Sequence, residues 1–196
     1  MEEIEIKFLN INPDLLEKKL KEIGAKRVFE KLYKRRVFDY PDLRLHDIGA
    51  WVRLRNEGDK IMLAFKQRIG IDGHDGIVND KSMQEIEIQV SDFGKTAEFL
   101  RKIGLEEKFY EENKRIRYIL GDIEFDIDFW PRLEPYLEIE TSSWEKIDYA
   151  IKLLGLNPEE KKIFSTYQIY QLKGIDENDY KEITFDRMIK KIDNKK

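Results

Sequence analysis

Glu3, Glu5 and Lys7 occupy alternate positions near the N-terminus, and the same alternation returns along the chain with other charges. Arg53 and Arg55 lie two apart in WVRLR, and Lys66 follows in LAFK. Asp126 and Asp128 lie in FDID, Glu138 and Glu140 in YLEIE. A period of two puts each pair on one face of a β-strand. For one strand alone, a solvated face explains such a pattern. The set differs because its charge is sorted by strand, basic in the first half and acidic in the second. Like charges facing one another across a sheet are destabilising, so such clusters persist when something of opposite sign binds them. Carboxylates without cysteine or histidine suit a hard cation such as Mg²⁺ or Mn²⁺. Arginine forks and lysine point charges suit phosphate oxygens.

The composition removes several other chemistries. The chain has no cysteine and only two histidines, His46 and His74, which excludes disulfides, thiolate sites and cysteine nucleophiles. Neither histidine is assigned a role, and Trp51, Trp130 and Trp144 are read as packing residues. Charged residues reach 39%, yet 36 basic residues oppose 40 acidic ones, for a net charge of −4. That balance argues against a nucleic-acid or membrane binder, the short run Lys34-Arg35-Arg36 notwithstanding. MEEIEIKFLN lacks the basic start and apolar run of a signal peptide, and no apolar stretch approaches a membrane span. A cytoplasmic protein is expected.

The elements that must position these charges read as an internal duplication. EIEIK (Glu3 to Lys7), a helical stretch ending at Gly24 and the strand KRVFEKLYKRRVFDY are echoed later. The echo is EIEIQ (Glu85 to Gln89), a helical stretch ending at Gly104 and EEKFYEENKRIRYIL, with Arg35 and Arg115 at equivalent places. Asn12-Pro13 starts the first helix, with Leu15, Leu16, Leu20 and Ile23 on one face. Asp92 caps the second, which carries Phe93, Ala97, Leu100 and Ile103. A third is expected from about Trp144 to Leu154, with Ser142 and Glu145 as a capping box. Arg68 to Asp80 reads as a Gly/Asp-rich hairpin loop. Period-2 strands with one apolar and one charged face predict an α+β fold dominated by an eight-stranded antiparallel barrel with flanking helices. The expected organisation is a barrel domain over 1–173 and a polar extension over 174–196. Within the extension, Thr184 to Ile192 is read as a short amphipathic helix before a frayed end.

Taken in order, these elements resemble the CYTH domain of the triphosphate tunnel metalloenzymes, the group of class IV adenylate cyclases and thiamine triphosphatases. The resemblance rests on ExExK (Glu3, Glu5, Lys7), FDYPD (Phe38 to Asp42), WVRLR, LAFK, EIEIQV (Glu85 to Val90), KRIRY (Lys114 to Tyr118), FDID and YLEIE. It spans roughly residues 2 to 172. It implies metal-facing carboxylates from Glu3, Glu5, Glu138 and Glu140, with Asp126 or Asp128 and Glu85 or Glu87 near the cations. It implies a triphosphate held by Lys7, Arg53, Arg55, Lys66 and Arg115, with Arg35 and Arg117 as further candidates. Lys7, Lys66, Arg115 and Asp128 are the expected catalytic groups. The family's Lys-x-Arg is Asn113-Lys114-Arg115 here, so its first basic position is missing. STYQIYQLKGI (Ser165 to Ile175) resembles the segment that closes many such domains. The implied activity is Mg²⁺- or Mn²⁺-dependent hydrolysis of ATP, thiamine triphosphate or tripolyphosphate. Alternatives are a cyclase making cyclic AMP and pyrophosphate from ATP, and a non-catalytic triphosphate- or polyphosphate-binding module.

Overall fold

The structure is a computed structural model that describes residues 4–69 and 82–191. Glu3, His74 and most of the expected hairpin loop lie outside the described residues. The repeated order strand, helix, three strands appears twice. The first copy is β1 (Ile4–Phe8), α1 (Pro13–Glu22), β2 (Lys26–Asp39), β3 (Ala50–Asn56) and β4 (Ile61–Ile69). The second is β5 (Ser82–Val90), α2 (Phe93–Lys102), β6 (Glu106–Leu120), β7 (Ile123–Phe129) and β8 (Tyr136–Thr141). Then come α3 (Trp144–Leu154), α4 (Thr166–Leu172), β9 (Tyr180–Ile183) and β10 (Met188–Lys190). The expected α+β class, antiparallel strands and paired halves are all present.

The two copies exchange their first strands. β1 pairs not with its own copy but with β8, and β5 pairs with β4. The compact units therefore differ from the repeats. One comprises Met1–Leu32 and Asn113–Asp179, the other Tyr33–Glu112 and Tyr180–Lys196. The long strands β2 and β6 contribute to both. The first unit has the strand order β1-β8-β7-β6-β2, the second β6-β2-β3-β4-β5.

In the first unit, Ile6, Phe8, Ile116, Phe125, Ile127, Leu137 and Ile139 point to one face. They form a buried cluster with Leu16 and Leu20 of α1 and Ile147, Ile151 and Leu154 of α3. The second unit's cluster is smaller, Phe38, Leu54, Ala97, Leu100 and Leu105. The helices begin as their caps dictate: Asn12, Asp92 and Ser143 each accept a backbone N–H from the first turn. The cap of α3 is thus Ser143 rather than the expected Ser142, whose hydroxyl instead accepts from Lys146 Nζ at 2.9 Å. Leu15 and Ile103, expected on core faces, are exposed, because Leu16 and Leu20, and Ala97 and Leu100, already fill the seam.

The C-terminal segment departs from its expected form. No helix occupies 184–191, and the chain makes a β9–β10 hairpin instead. Thr184 turns it: its N–H donates to the Arg187 carbonyl at 2.9 Å and its hydroxyl to the same oxygen at 3.1 Å. β9 then pairs in parallel with β6. Ladder bonds with a strand that already exists outweigh a marginal helix of fewer than three turns.

Candidate functional site

The first unit lays its charges in rows across adjacent strands. Glu5 stands opposite Glu140, and Glu140 opposite Glu124. The next row is Lys7, Glu138, Asp126 and Arg117, and the third is Tyr136, Asp128 and Arg115. Residues in register share a face, so period-2 alternation on four strands converges on one charged surface. Six carboxylates (Glu5, Glu124, Asp126, Asp128, Glu138, Glu140) are gathered there against three cations (Lys7, Arg115, Arg117). Asp126 and Asp128 are fully buried, as are Phe125 and Ile127 on the opposite face of the same strand.

The cations hold these carboxylates in fixed orientations. Arg115 donates to both Asp128 oxygens, from Nε at 2.8 Å and Nη2 at 2.6 Å, to Asp126 at 2.5 Å and to Glu138 at 3.0 Å. Arg117 forks onto Asp126 at 2.7 and 2.6 Å and pairs with Glu124. Lys7 donates to Glu5 and lies 3.2 Å from Glu138. Burial alone would raise the Glu138 carboxyl, but the charges of Arg115 and Lys7 outweigh it and hold it at about 2. Burial raises the Tyr136 hydroxyl well above its ordinary value, and the neighbouring Asp128 and Glu138 add to this. Ligand oxygens of Glu5, Glu138 and Glu140 lie within 4.8 Å of one another, and those of Glu124, Asp126 and Glu140 do the same. Glu140 is common to both groups. An all-oxygen donor set of this charge fits a hard divalent cation.

The second unit gathers the basic set. Arg35 stands opposite Arg55, and Arg53 and Lys66 lie on neighbouring strands. Burial lowers Arg53 to about 10, with Arg55 and Arg35 adding to the effect. Lys66 is lowered for the same reason, burial first and Arg53 next. The Nε atoms of Arg53 and Arg55 are buried with no hydrogen-bond partner among the described residues. Counter-charge comes from Glu85, 2.9 Å from Lys66 and 3.2 Å from Arg53. Glu87 lies 3.6 Å from Arg53, Glu57 is 2.5 Å from Arg55, and Glu111 is 3.4 Å from Arg35.

The expected residues therefore separate into two sets. Glu5, Asp126, Asp128, Glu138 and Glu140 share one charged face with Lys7, Arg115 and Arg117. Glu85 and Glu87, expected near the cations, belong instead to the basic set, because the strand exchange sets Glu85 opposite Lys66. Glu124 is absent from the expected set, although its alternation with Asp126 and Asp128 marks the same face. Glu57 and Glu111 are also additions, although Glu57 continues the alternation of Arg53 and Arg55, and Glu111 that of Asn113, Arg115 and Arg117. Lys114 points away from Arg115, toward Glu30 at 3.3 Å and the Phe129 ring.

The CYTH domain family model matches residues 1–167. The chain belongs to the CYTH domain family. Solved structures with the same fold include a conserved hypothetical protein from Pyrococcus furiosus, 22% identical, covering 86% of this chain and 99% of its own, with a TM-score of 0.66. A proposed adenylate cyclase from Vibrio parahaemolyticus is 15% identical over 86% of this chain and 97% of its own, with a TM-score of 0.68. A proposed adenylyl cyclase from Hippeastrum, described as revealing a dominant triphosphatase activity, is 14% identical over 88% and 96%, with a TM-score of 0.59. No curated protein matches the chain by sequence. Likeness at these identities establishes the fold. The CYTH match ends within α4, so β9 and β10 are outside it.

Proposed function

We propose that this CYTH protein hydrolyses a triphosphate with the help of Mg²⁺ or Mn²⁺. The observation that carries this reading is the pair of three-carboxylate groups joined at Glu140, in a fold that also half-buries a set of arginines and a lysine close enough to repel one another. Glu5, Glu138 and Glu140 would hold one cation, and Glu124 and Asp126 would complete a second position with Glu140. A bound cation would screen phosphate charge and orient the attacking group. Lys7 and Arg115 keep the acidic residues aimed, since each bridges several of them. Arg53, Arg55, Lys66 and Arg35 supply donors for phosphate oxygens, and a bound anion would relieve their repulsion. Positioning and charge are most of what phosphoryl transfer requires. A pure anion-binding module would gain nothing from six carboxylates.

Cyclisation of ATP is the second reading, favoured by the proposed cyclase activity of two of the fold neighbours. Hydrolysis is preferred because it needs no adenine pocket. One panel separates the readings: incubation with tripolyphosphate, ATP and thiamine triphosphate plus Mg²⁺ or Mn²⁺, with products resolved by chromatography. Orthophosphate release supports hydrolysis. Cyclic AMP with pyrophosphate would replace it with cyclisation, and binding without turnover would replace both with a binding module.

A further inference from the structure

The strand exchange places a carboxylate of the chain itself on the basic set. Glu85 of β5 is in register with Lys66 of β4, and its two oxygens are divided between two cations. Oε1 accepts from Arg53 Nη2 at 3.2 Å, and Oε2 lies 2.9 Å from Lys66 Nζ. A phosphate group bridging the same pair would present its oxygens in the same way. Glu85 leaves the demand for negative charge unmet. Burial and the neighbouring arginines outweigh its pull and keep Arg53 and Lys66 below their ordinary values, and Arg53 Nε has no hydrogen-bond partner among the described residues. The attachment is also open to water. The side chains of Glu57 and Glu111 are 6% and 10% exposed, whereas that of Glu85 is 33% exposed. β5 is the end strand of the second unit's order, and residues 84–89 are all exposed. Turning the Glu85 side chain outward therefore returns its charge to water with little further desolvation to overcome.

We propose that Glu85 is an intramolecular stand-in for phosphate, which occupies Lys66 and Arg53 in the ligand-free protein and swings to solvent when the substrate arrives. An anion can take both cations only by displacing it, so Glu85 limits the affinity of the site rather than adding to it. A triphosphate carries several negative charges and outcompetes one partly hydrated carboxylate, whereas a singly charged anion gains little by the exchange. The same competition acts on a phosphate product held by these two cations and favours its release. While the site is empty, Glu85 offsets the mutual repulsion of Lys66 and Arg53. The inference rests on the phosphate-binding reading of those two residues.

The test compares the full wild-type chain with Glu85→Gln, by calorimetry with tripolyphosphate in EDTA, with melting temperatures confirming that each variant is folded. Removing the competitor should tighten binding about 3- to 10-fold, between the contributions of an exposed and a buried ion pair. The same exchange made in a Lys66→Gln background should give a smaller gain, because one of the two cations that Glu85 holds is gone. A crystal structure of the wild type with tripolyphosphate checks the displacement directly and depends on no variant. It should show phosphate oxygens on Lys66 and Arg53 and the Glu85 side chain turned to solvent. Glu85 still seated on both cations beside bound tripolyphosphate would overturn the proposal. So would unchanged or weaker binding by Glu85→Gln, or an equal gain in both backgrounds, which would mark only the general field of one charge. Undetectable binding by the wild type and Glu85→Gln alike would remove the phosphate reading itself, a result distinct from binding that leaves Glu85 in place.

Discussion

Single side chains carry opposite burdens in the two units. Glu140 belongs to both three-carboxylate groups, so Glu140→Gln should lower turnover by orders of magnitude with partial rescue at high Mn²⁺. The exchange keeps shape and one oxygen while removing the charge that makes a carboxylate a strong ligand. Melting without metal should be unchanged or slightly higher, since one like charge has left the row formed with Glu5 and Glu124. Full activity of the variant, or wild-type activity persisting in EDTA, would remove the metal assignment. Arg53 presents the reverse case. Its charge is disfavoured by burial and by Arg55 and Arg35, so Arg53→Gln should not lower the melting temperature of the ligand-free protein. It should weaken triphosphate binding by about 1.5–3 kcal/mol, roughly 10- to 150-fold, as measured by calorimetry. A large loss of stability with unchanged affinity would mark Arg53 as structural.

Among the elements, α1 and β6 are tied by a contact that responds to pH. Tyr118 of β6 is fully buried in the first unit's core and donates its hydroxyl to Glu17 of α1. Burial, reinforced by Glu17, pushes the Tyr118 hydroxyl up to about 12. Its folded value lies above the ordinary value of 10, so the unfolded chain releases this proton first. The resulting stability is fully present below pH 10 and is lost as pH rises toward 12. Tyr110 is raised to about 12 by burial and Glu112 and acts in the same sense. Melting curves between pH 9 and 12 should fall more gently for Tyr118→Phe than for the wild type. Parallel curves for the two proteins would show that the hydroxyl carries no such linkage.

For the whole molecule, the unequal cores set where the chain opens. The first unit buries the larger cluster, which takes in Ile123, Phe125 and Ile127 of β7, whereas the second relies on a few residues around α2 and β3. Native-state hydrogen exchange should therefore be slowest in β7 and β8 and faster in β4 and β5. Uniform protection across all four strands would show that core size does not govern opening. Leu137→Ala, in the larger cluster, should cost about 2–5 kcal/mol in denaturant unfolding. Most of the fold was legible before any coordinates. Capping residues and apolar periodicity located α1, α2 and α3, and the period-2 runs located the strands, because both signals are local. The charged face was legible for the same reason: a residue's side of a strand follows from parity alone. Partners were not legible. That Glu85 answers Lys66, that Glu5, Glu140 and Glu124 form one row, and that Ile183 of β9 stands in register with Glu111 of β6 all depend on strand exchange and register. The tail also chose a hairpin over a helix because β6 offered it a ladder. Parity is a property of neighbouring residues, whereas pairing is chosen by the free energy of the folded chain, and only the tertiary structure carries that choice.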